Sequence, residues 1–500
     1  MYFSILSAAL NGVEAVPVFV EADISEGMPS FTIVGSVSTQ VREAQERVRT
    51  ALKNQGIFLP PKRITLNLAP ADIRKEGSRF DLPIAAAILV ILAKIPPGSL
   101  NGAMILGELR LDGRINPVSG ILPSVIAAKS GQIKKCIVPR DNYFEASAIK
   151  GIEIIGVASL EELIGYCCGS LKPEMPVYKE STCRELQPDF SDIKGQEAVK
   201  RAALISAAGF HNLLLSGPPG SGKSMTANRI PGILPEMTEK EQQEVSVIYS
   251  VAGLLTPDMP VIKHRPFRAP HHTLSAQALC GGGRIPRPGE ITLAHRGVLF
   301  IDELPLMSAK NLEYLRGPLE DRTIRIARSG VSCSFPADFL FVAAMNPCPC
   351  GFYPNTDRCT CTEKDIRSYY NRISQPILDR IDLRVDVPAV RFTELRAKKD
   401  KEISSAMLRE KVSAAFEVQR ERYKDHAFCF NSELSPALVE RYCIMTKGAG
   451  ELIRNVYERQ LLSARGYHRV LKLARTIADI EGSGEITEEH VSEALCFKVK

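Results

Sequence analysis

An apolar run, Leu213, Leu214 and Leu215, leads straight into Gly217-Pro218-Pro219-Gly220-Ser221-Gly222-Lys223-Ser224, and a helix-compatible segment follows. Strand, glycine-rich loop and helix in that order make a P-loop. The glycines let consecutive N–H groups turn inward onto phosphate oxygens, and the helix adds the positive end of its dipole. Lys223 is placed to reach the β- and γ-phosphates and the Ser224 hydroxyl to ligate Mg²⁺. The pattern predicts an α/β core that binds ATP.

A second element turns binding toward hydrolysis. Gly297-Val298-Leu299-Phe300-Ile301-Asp302-Glu303 is a buried-strand run ending in two acids, the pattern of a Walker B strand. Asp302 would hold the Mg²⁺ shell, and Glu303, just past the strand end, would polarise the attacking water. Standing alone, an Asp-Glu pair could equally cap the next helix. Beside a P-loop it reads as catalytic.

The stretch between Lys223 and Asp302 is longer than a minimal strand-helix-strand path needs, so something is inserted there. It holds Arg265-Pro266-Phe267-Arg268-Ala269-Pro270-His271-His272 and then a glycine- and proline-punctuated loop, Gly281 to Gly289, bearing Arg284 and Arg287. Such a loop is expected to be exposed and to touch a partner. His271 and His272 suggest no metal, because neighbours on a strand point to opposite sides and no nearby acid completes a site. Downstream, Arg322 to Phe335 reads as two short strands around Ser329-Gly330. Arg325 and Arg328 make its tip basic, which suits phosphate contacts, although a solvated hairpin would carry the same arginines.

At 500 residues the chain is long enough for about three domains. Its net charge of +6 permits an anionic partner without demanding one. No basic region precedes the apolar residues at the start, and the run Ile84 to Leu92 is too short to span a bilayer, so a cytoplasmic location is expected. Most of the 13 cysteines are scattered and read as reduced thiols. Cys348, Cys350, Cys359 and Cys361 differ: two Cys-x-Cys pairs could fold back and offer four thiolates to a tetrahedral zinc. Four free thiols in a surface loop is the other reading. Composition shifts divide the chain into an α/β module over 1–170 and a linker over 171–188. The P-loop core follows over 189–390, with the possible zinc loop at 346–362, then a helical lid over 391–500.

The order of Gly-x-x-Gly-x-Gly-Lys-Ser, Arg-Ala-Pro-His-His, Ile-Pro-Arg-Pro-Gly-Glu, Phe-Ile-Asp-Glu-Leu, Met-Asn-Pro-Cys-Pro-Cys-Gly and Leu-Asp-Arg-Ile-Asp resembles the magnesium-chelatase-like AAA+ ATPases of the ComM/YifB type. The likeness covers essentially the whole chain. It implies a ring, usually hexameric, with ATP between protomers. By position, Asn346 matches the sensor that orients the attacking water, and Arg380 the finger that reaches a neighbour's γ-phosphate. Arg465 matches the lid sensor, with Arg469 a competing choice one turn later.

Residues 1–170 resemble the proteolytic domain of Lon-type proteases, an α/β fold of the ribosomal protein S5 domain 2 kind. The residues that carry this are Gly107-Glu108-Leu109, Gly113 to Gly120 and Ile137 to Asn142. The Ser/Lys pair of such proteases is missing: Leu122 stands where the lysine belongs, and Arg79 or Asp81 where the serine belongs. Ser78 lies beside the motif with no lysine to take its proton, so a non-proteolytic domain is expected.

Two function classes follow. One, implied by the resemblance, is a hexameric DNA motor or helicase driving branch migration during recombination or natural transformation, with DNA held by Arg284, Arg287, Arg325 and Arg328. The other is a protein-remodelling or metal-insertion motor of the magnesium chelatase subunit type. The Lon-like region and the four-cysteine loop favour the first.

Overall fold

The computed structural model describes residues 1–174, 176, 188–283, 286–328, 331–355, 357–389 and 403–497. Arg284, most of the expected linker and the expected core-lid boundary lie outside the described residues, as does the side chain of Arg328.

The chain begins with a strand that the sequence reading did not anticipate. Tyr2–Asn11 pairs antiparallel with Glu14–Ser25 along its whole length, from Tyr2 opposite Asp23 to Asn11 opposite Glu14. These two strands centre a seven-stranded sheet. On one side lie Arg63–Ala69 and Ser30–Val34, on the other the parallel run Ala103–Ile105, Lys135–Pro139 and Glu153–Val157. Alternation along Glu14–Ser25 turns Val18, Val20 and Ala22 inward against helices Thr39–Asn54 and Asp81–Ile91. The second of these helices is buried on every side, which is why its sequence is apolar without periodicity. Its one acid, Asp81, is held by a two-pronged Arg47 pair at 2.7 and 2.9 Å. The opposite face of the sheet packs Ala8 and Met104 against helix Ile121–Ser130.

A second sheet carries the P-loop. Its five strands are all parallel, in the order Phe267–Arg268, Val298–Ile301, Leu340–Met345, Leu213–Ser216 and Leu383–Asp386. Every residue of the three central strands is buried, as continuous apolar runs in a covered parallel sheet require. Helices Ser405–Arg422, Pro436–Tyr442, Lys447–Glu458, Ala464–Ile480 and Glu488–Cys496 follow, and one apolar cluster joins them to helix Glu197–Gly209 and the Walker A strand. Within this helical part Asp479, fully buried, receives Arg422, Arg475 and Asn431.

The inserted stretch after the P-loop has a structural task. Helix Glu239–Ala252, opened by a capping box between Thr238 and Glu241, docks on the start of helix Ile121–Ser130. The N–H of Gly120 donates to the Ser250 carbonyl at 2.8 Å. That of Leu122 reaches both the Ser250 hydroxyl (3.2 Å) and the Glu145 carboxylate (3.1 Å). The orphan donors of one helix are thus capped from a different part of the chain.

Candidate nucleotide-binding site

The Walker A strand ends at Ser216, and the loop that follows is clamped between strands. A Cβ at Gly217 would sit 2.2 Å from the Val387 carbonyl oxygen, so only glycine allows the loop to leave the sheet there. Gly222, at φ +91°, turns the chain into helix Lys223–Arg229. The Lys223 ammonium lies at the loop mouth, donating to the carbonyls of Gly217 (2.7 Å) and Pro218 (2.9 Å) and to Asn346 Oδ1 (3.1 Å). Burial lowers its pKa, opposed by the carboxylates of Asp302 and Glu303.

Strand order explains how distant residues converge. The strand Leu340–Met345 lies between the Walker A and Walker B strands, so Asn346 at its end falls between Lys223 and the two acids. The Ser224 hydroxyl donates to Asp302 Oδ2 at 2.9 Å. A hydroxyl and a carboxylate oxygen meeting at a helix start are hard donors suited to Mg²⁺, so these residues fit the ion that a P-loop implies. Glu303 takes a left-handed conformation (φ +50°) with its N–H on Asp302 Oδ1, which turns its half-exposed carboxylate away from the strand.

Here the sequence reading of the histidine pair needs correction. His271 and His272 do not splay to opposite sides: their ring centroids are 4.1 Å apart. An acid is also near, because His272 Nδ1 lies 3.8 Å from Glu303 Oε2. The residues leave the edge strand Phe267–Arg268, which is only two residues long, so strand alternation no longer governs them. The acid comes from the neighbouring strand, a contact no sequence spacing announces.

Arg380 sits at the other edge of the sheet. Its carbonyl accepts from Asn212 Nδ2 (2.7 Å), at the start of the Walker A strand, and its guanidinium is tied to Glu320 and to the Pro376 carbonyl. The P-loop lies at the end of that four-residue strand, about 13 Å away. Arg380 and its own chain's loop therefore stand at opposite ends of that strand. Arg469 shares this edge, with its guanidinium on the Asp379 carbonyl, and Arg465, exposed one turn earlier, lies on the same helix face.

The four cysteines are brought together. Their sulfurs all lie within 4.8 Å of one another, with Cys348 to Cys350 at 3.3 Å, Cys348 to Cys359 at 3.8 Å and Cys350 to Cys359 at 3.6 Å. Four thiolates at about 2.3 Å from one zinc are about 3.8 Å apart, so the set fits a tetrahedral ion. A backbone N–H from Phe352 favours the Cys350 thiolate and holds its pKa at about 6. The Tyr353 N–H points at Cys348 Sγ (3.4 Å).

The two basic ribbons are neighbours. Gly281–Gly282 pairs with Arg287–Pro288, Thr323–Arg328 pairs with Val331–Pro336, and Gly282 packs toward Ile326. Arg287 and Arg325 are exposed. Arg287 and Ser332 also line a cleft of about 740 Å³ against residues of the first sheet's loops, among them Arg74 and Ser78. In that region Ser78 donates to Glu108, Arg79 is buried with its guanidinium on the Ser119 carbonyl, and Leu122 is buried apolar. No described lysine is bonded to Ser78.

A parallel sheet that sets a P-loop beside an Asp-Glu strand end defines a P-loop ATPase core. Comparison with known families narrows this. Residues 189–395 match magnesium chelatase, subunit ChlI; residues 20–142 match subunit ChlI of Mg-chelatase; residues 402–498 match the ChlI C-terminal region. Competence protein ComM of Haemophilus influenzae is 42% identical over 501 residues, covering 99% of this chain and 97% of that protein. The YifB protein of Escherichia coli K12 is 42% identical over 492 residues, 98% of this chain and 96% of its own. Lon protease 2 of Bacillus subtilis is 32% identical over 145 residues, 28% of this chain and 26% of that protein. The chain belongs to the ComM/YifB family of magnesium-chelatase-like AAA+ proteins. That membership implies ATPase activity with ATP and Mg²⁺.

Proposed function

We propose that the chain is an ATP-driven DNA motor, a ring-forming helicase that promotes branch migration in recombination or natural transformation. The observation that carries this is the pairing of Lys223, Ser224, Asp302 and Asn346 in one site with two adjacent ribbons bearing exposed Arg287 and Arg325. The family relative named a competence protein points the same way. Residues 1–170 act as a non-proteolytic Lon-like platform, 189–390 as the ATPase core and 391–500 as the lid, in a cytoplasmic protein. Among the described residues no helix is long and apolar enough to cross a membrane.

In this reading the N–H groups of residues 217–224 cradle the phosphates, and Lys223 moves from its loop carbonyls onto them. Ser224 and Asp302 would hold Mg²⁺, which would supply charge neutralisation to the phosphates. Glu303 orients the attacking water once freed from His272, and Asn346 fixes its line of approach. Arg380, held at the opposite end of the Walker A strand from its own loop, acts on the next protomer's nucleotide. Arg465 or Arg469 reads the nucleotide from the same side. Cys348, Cys350, Cys359 and Cys361 hold a structural zinc.

The test is migration of a labelled four-way junction with ATP, at several salt concentrations. Arg287→Ala with Arg325→Ala should slow strand exchange and flatten its salt dependence by about one phosphate contact per arginine. No exchange at low salt, with intact ATPase, would favour a polypeptide partner of the chelatase-subunit kind.

A further inference from the structure

The loop that carries the four cysteines grows directly out of the sensor strand. Only Pro347 separates Asn346 from Cys348, whose side chain is fully buried. The chain then turns back, with the Gly351 N–H on the Cys348 carbonyl at 3.0 Å. Gly351 adopts φ +85°, and a Cβ there would stand 2.6 Å from Pro219 Cδ. Pro219 belongs to the P-loop, so the knuckle of the cysteine loop lies flat against the loop that binds phosphate. Asn346, meanwhile, accepts from Lys223. The far end of the cysteine loop is equally engaged. Thr362, next to Cys361, caps helix Glu363–Tyr370, and the buried Tyr369 of that helix packs beside Asn346.

Little apolar burial holds the described part of this loop in place. Among its described residues from 347 to 361, only Cys348 and Gly351 are buried. Beyond its own turn hydrogen bonds, a segment that buries so little gains order from a cross-link, and the four sulfurs supply one when they share a metal.

We propose that the four-cysteine zinc centre is a positioning device for the nucleotide site: it sets Asn346 and presses Gly351 against Pro219, so that ATP turnover depends on a bound metal that never touches nucleotide. This rests on the zinc reading given above. Cys348 and Cys350 fix the sensor side, and Cys359 and Cys361 tie it to helix Glu363–Tyr370.

The experiment measures bound zinc per chain, steady-state ATPase and fluorescent-nucleotide affinity in the full chain, with Cys361→Ser, Asn346→Ala, their double variant and Gly351→Ala. Cys361→Ser is expected to lose zinc and about a hundredfold in kcat, the cost of a misplacement of about 1 Å at a reacting centre. The double variant should lose no more than Asn346→Ala alone, because the loop acts through that residue. Effects that multiply would overturn the proposal. Gly351→Ala keeps all four ligands and guards against simple misfolding: it should retain its zinc and bind nucleotide more weakly, because its Cβ would push on Pro219 of the P-loop. Unchanged affinity with zinc retained would overturn the brace while leaving the zinc reading intact. Wild-type protein free of zinc and fully active would remove both.

Discussion

The contact between helix Glu239–Ala252 and the first sheet can be tested by a single hydroxyl. Ser250 is nearly fully buried; its hydroxyl donates to Glu145 and lies 3.2 Å from the Leu122 N–H, which also keeps Glu145 at 3.1 Å. Ser250→Ala therefore removes one charge-assisted hydrogen bond and leaves the Leu122 amide satisfied. Hydrogen bonds to charged groups contribute about 1.5–3 kcal/mol, so the variant should lose about 2 kcal/mol of docking. At 1.4 kcal/mol per factor of ten this raises the opening equilibrium about thirtyfold. Amide hydrogen exchange at Gly120 reads it directly, since its N–H donates to the Ser250 carbonyl and is released when the helices part. Glu145→Gln keeps an acceptor for the Ser250 hydroxyl but removes its charge, and because burial raises the Glu145 pKa, removing the charge also relieves a cost. The double variant should thus cost little more than Ser250→Ala alone. Additive losses, or exchange at the Gly120 amide changed by less than about twofold, would refute the account, because a bond that holds this contact cannot be worth only a few tenths of a kcal/mol.

Three further outcomes are expected. Asp479→Ala leaves the guanidinium of Arg475 buried without a counter-charge, so it should destabilise the helical part by about 3–5 kcal/mol in thermal or denaturant unfolding. Glu244, bonded to His295 and flanked by Arg296, has its pKa pulled down to about 2. A depressed carboxylate stabilises the fold above its unfolded pKa of about 4.3 and loses that contribution as pH falls toward 2, so Glu244→Gln should be less stable near neutrality, with the gap closing in acid. Arg380→Ala and Lys223→Ala should each lose about a thousandfold in ATPase, and mixing the two proteins should restore part of it, because one supplies the finger and the other the loop. No recovery on mixing would place the finger elsewhere.

How much of this was legible beforehand depended on whether the signal was local. The P-loop, the Walker B run and the cysteine pairs are written in adjacent residues, and the structure brings their side chains together. The apolar run Ile84 to Leu92 falls largely within helix Asp81–Ile91, and the helical character expected of 391–500 includes Ala464–Ile480. What could not be read was the set of contacts made by strand order. His272 meets Glu303 because two parallel strands are neighbours, and Ser250 meets Glu145 because an inserted helix folds back on a different sheet. The first strand is hard to read locally because Tyr2–Asn11 lacks a clean alternation of buried and exposed residues. Its pairing with Glu14–Ser25 is plain only once the turn at Gly12 is known.

The central claim is that hydrolysis at Lys223, Asp302 and Glu303 is coupled to DNA. The most direct measurement is the ATPase rate at low salt with no DNA and with single-stranded, double-stranded and four-way-junction DNA, using Lys223→Ala and Glu303→Gln as controls. The account predicts stimulation by DNA that vanishes in both variants. A rate indifferent to every DNA tested, in protein that still hydrolyses ATP, would contradict it.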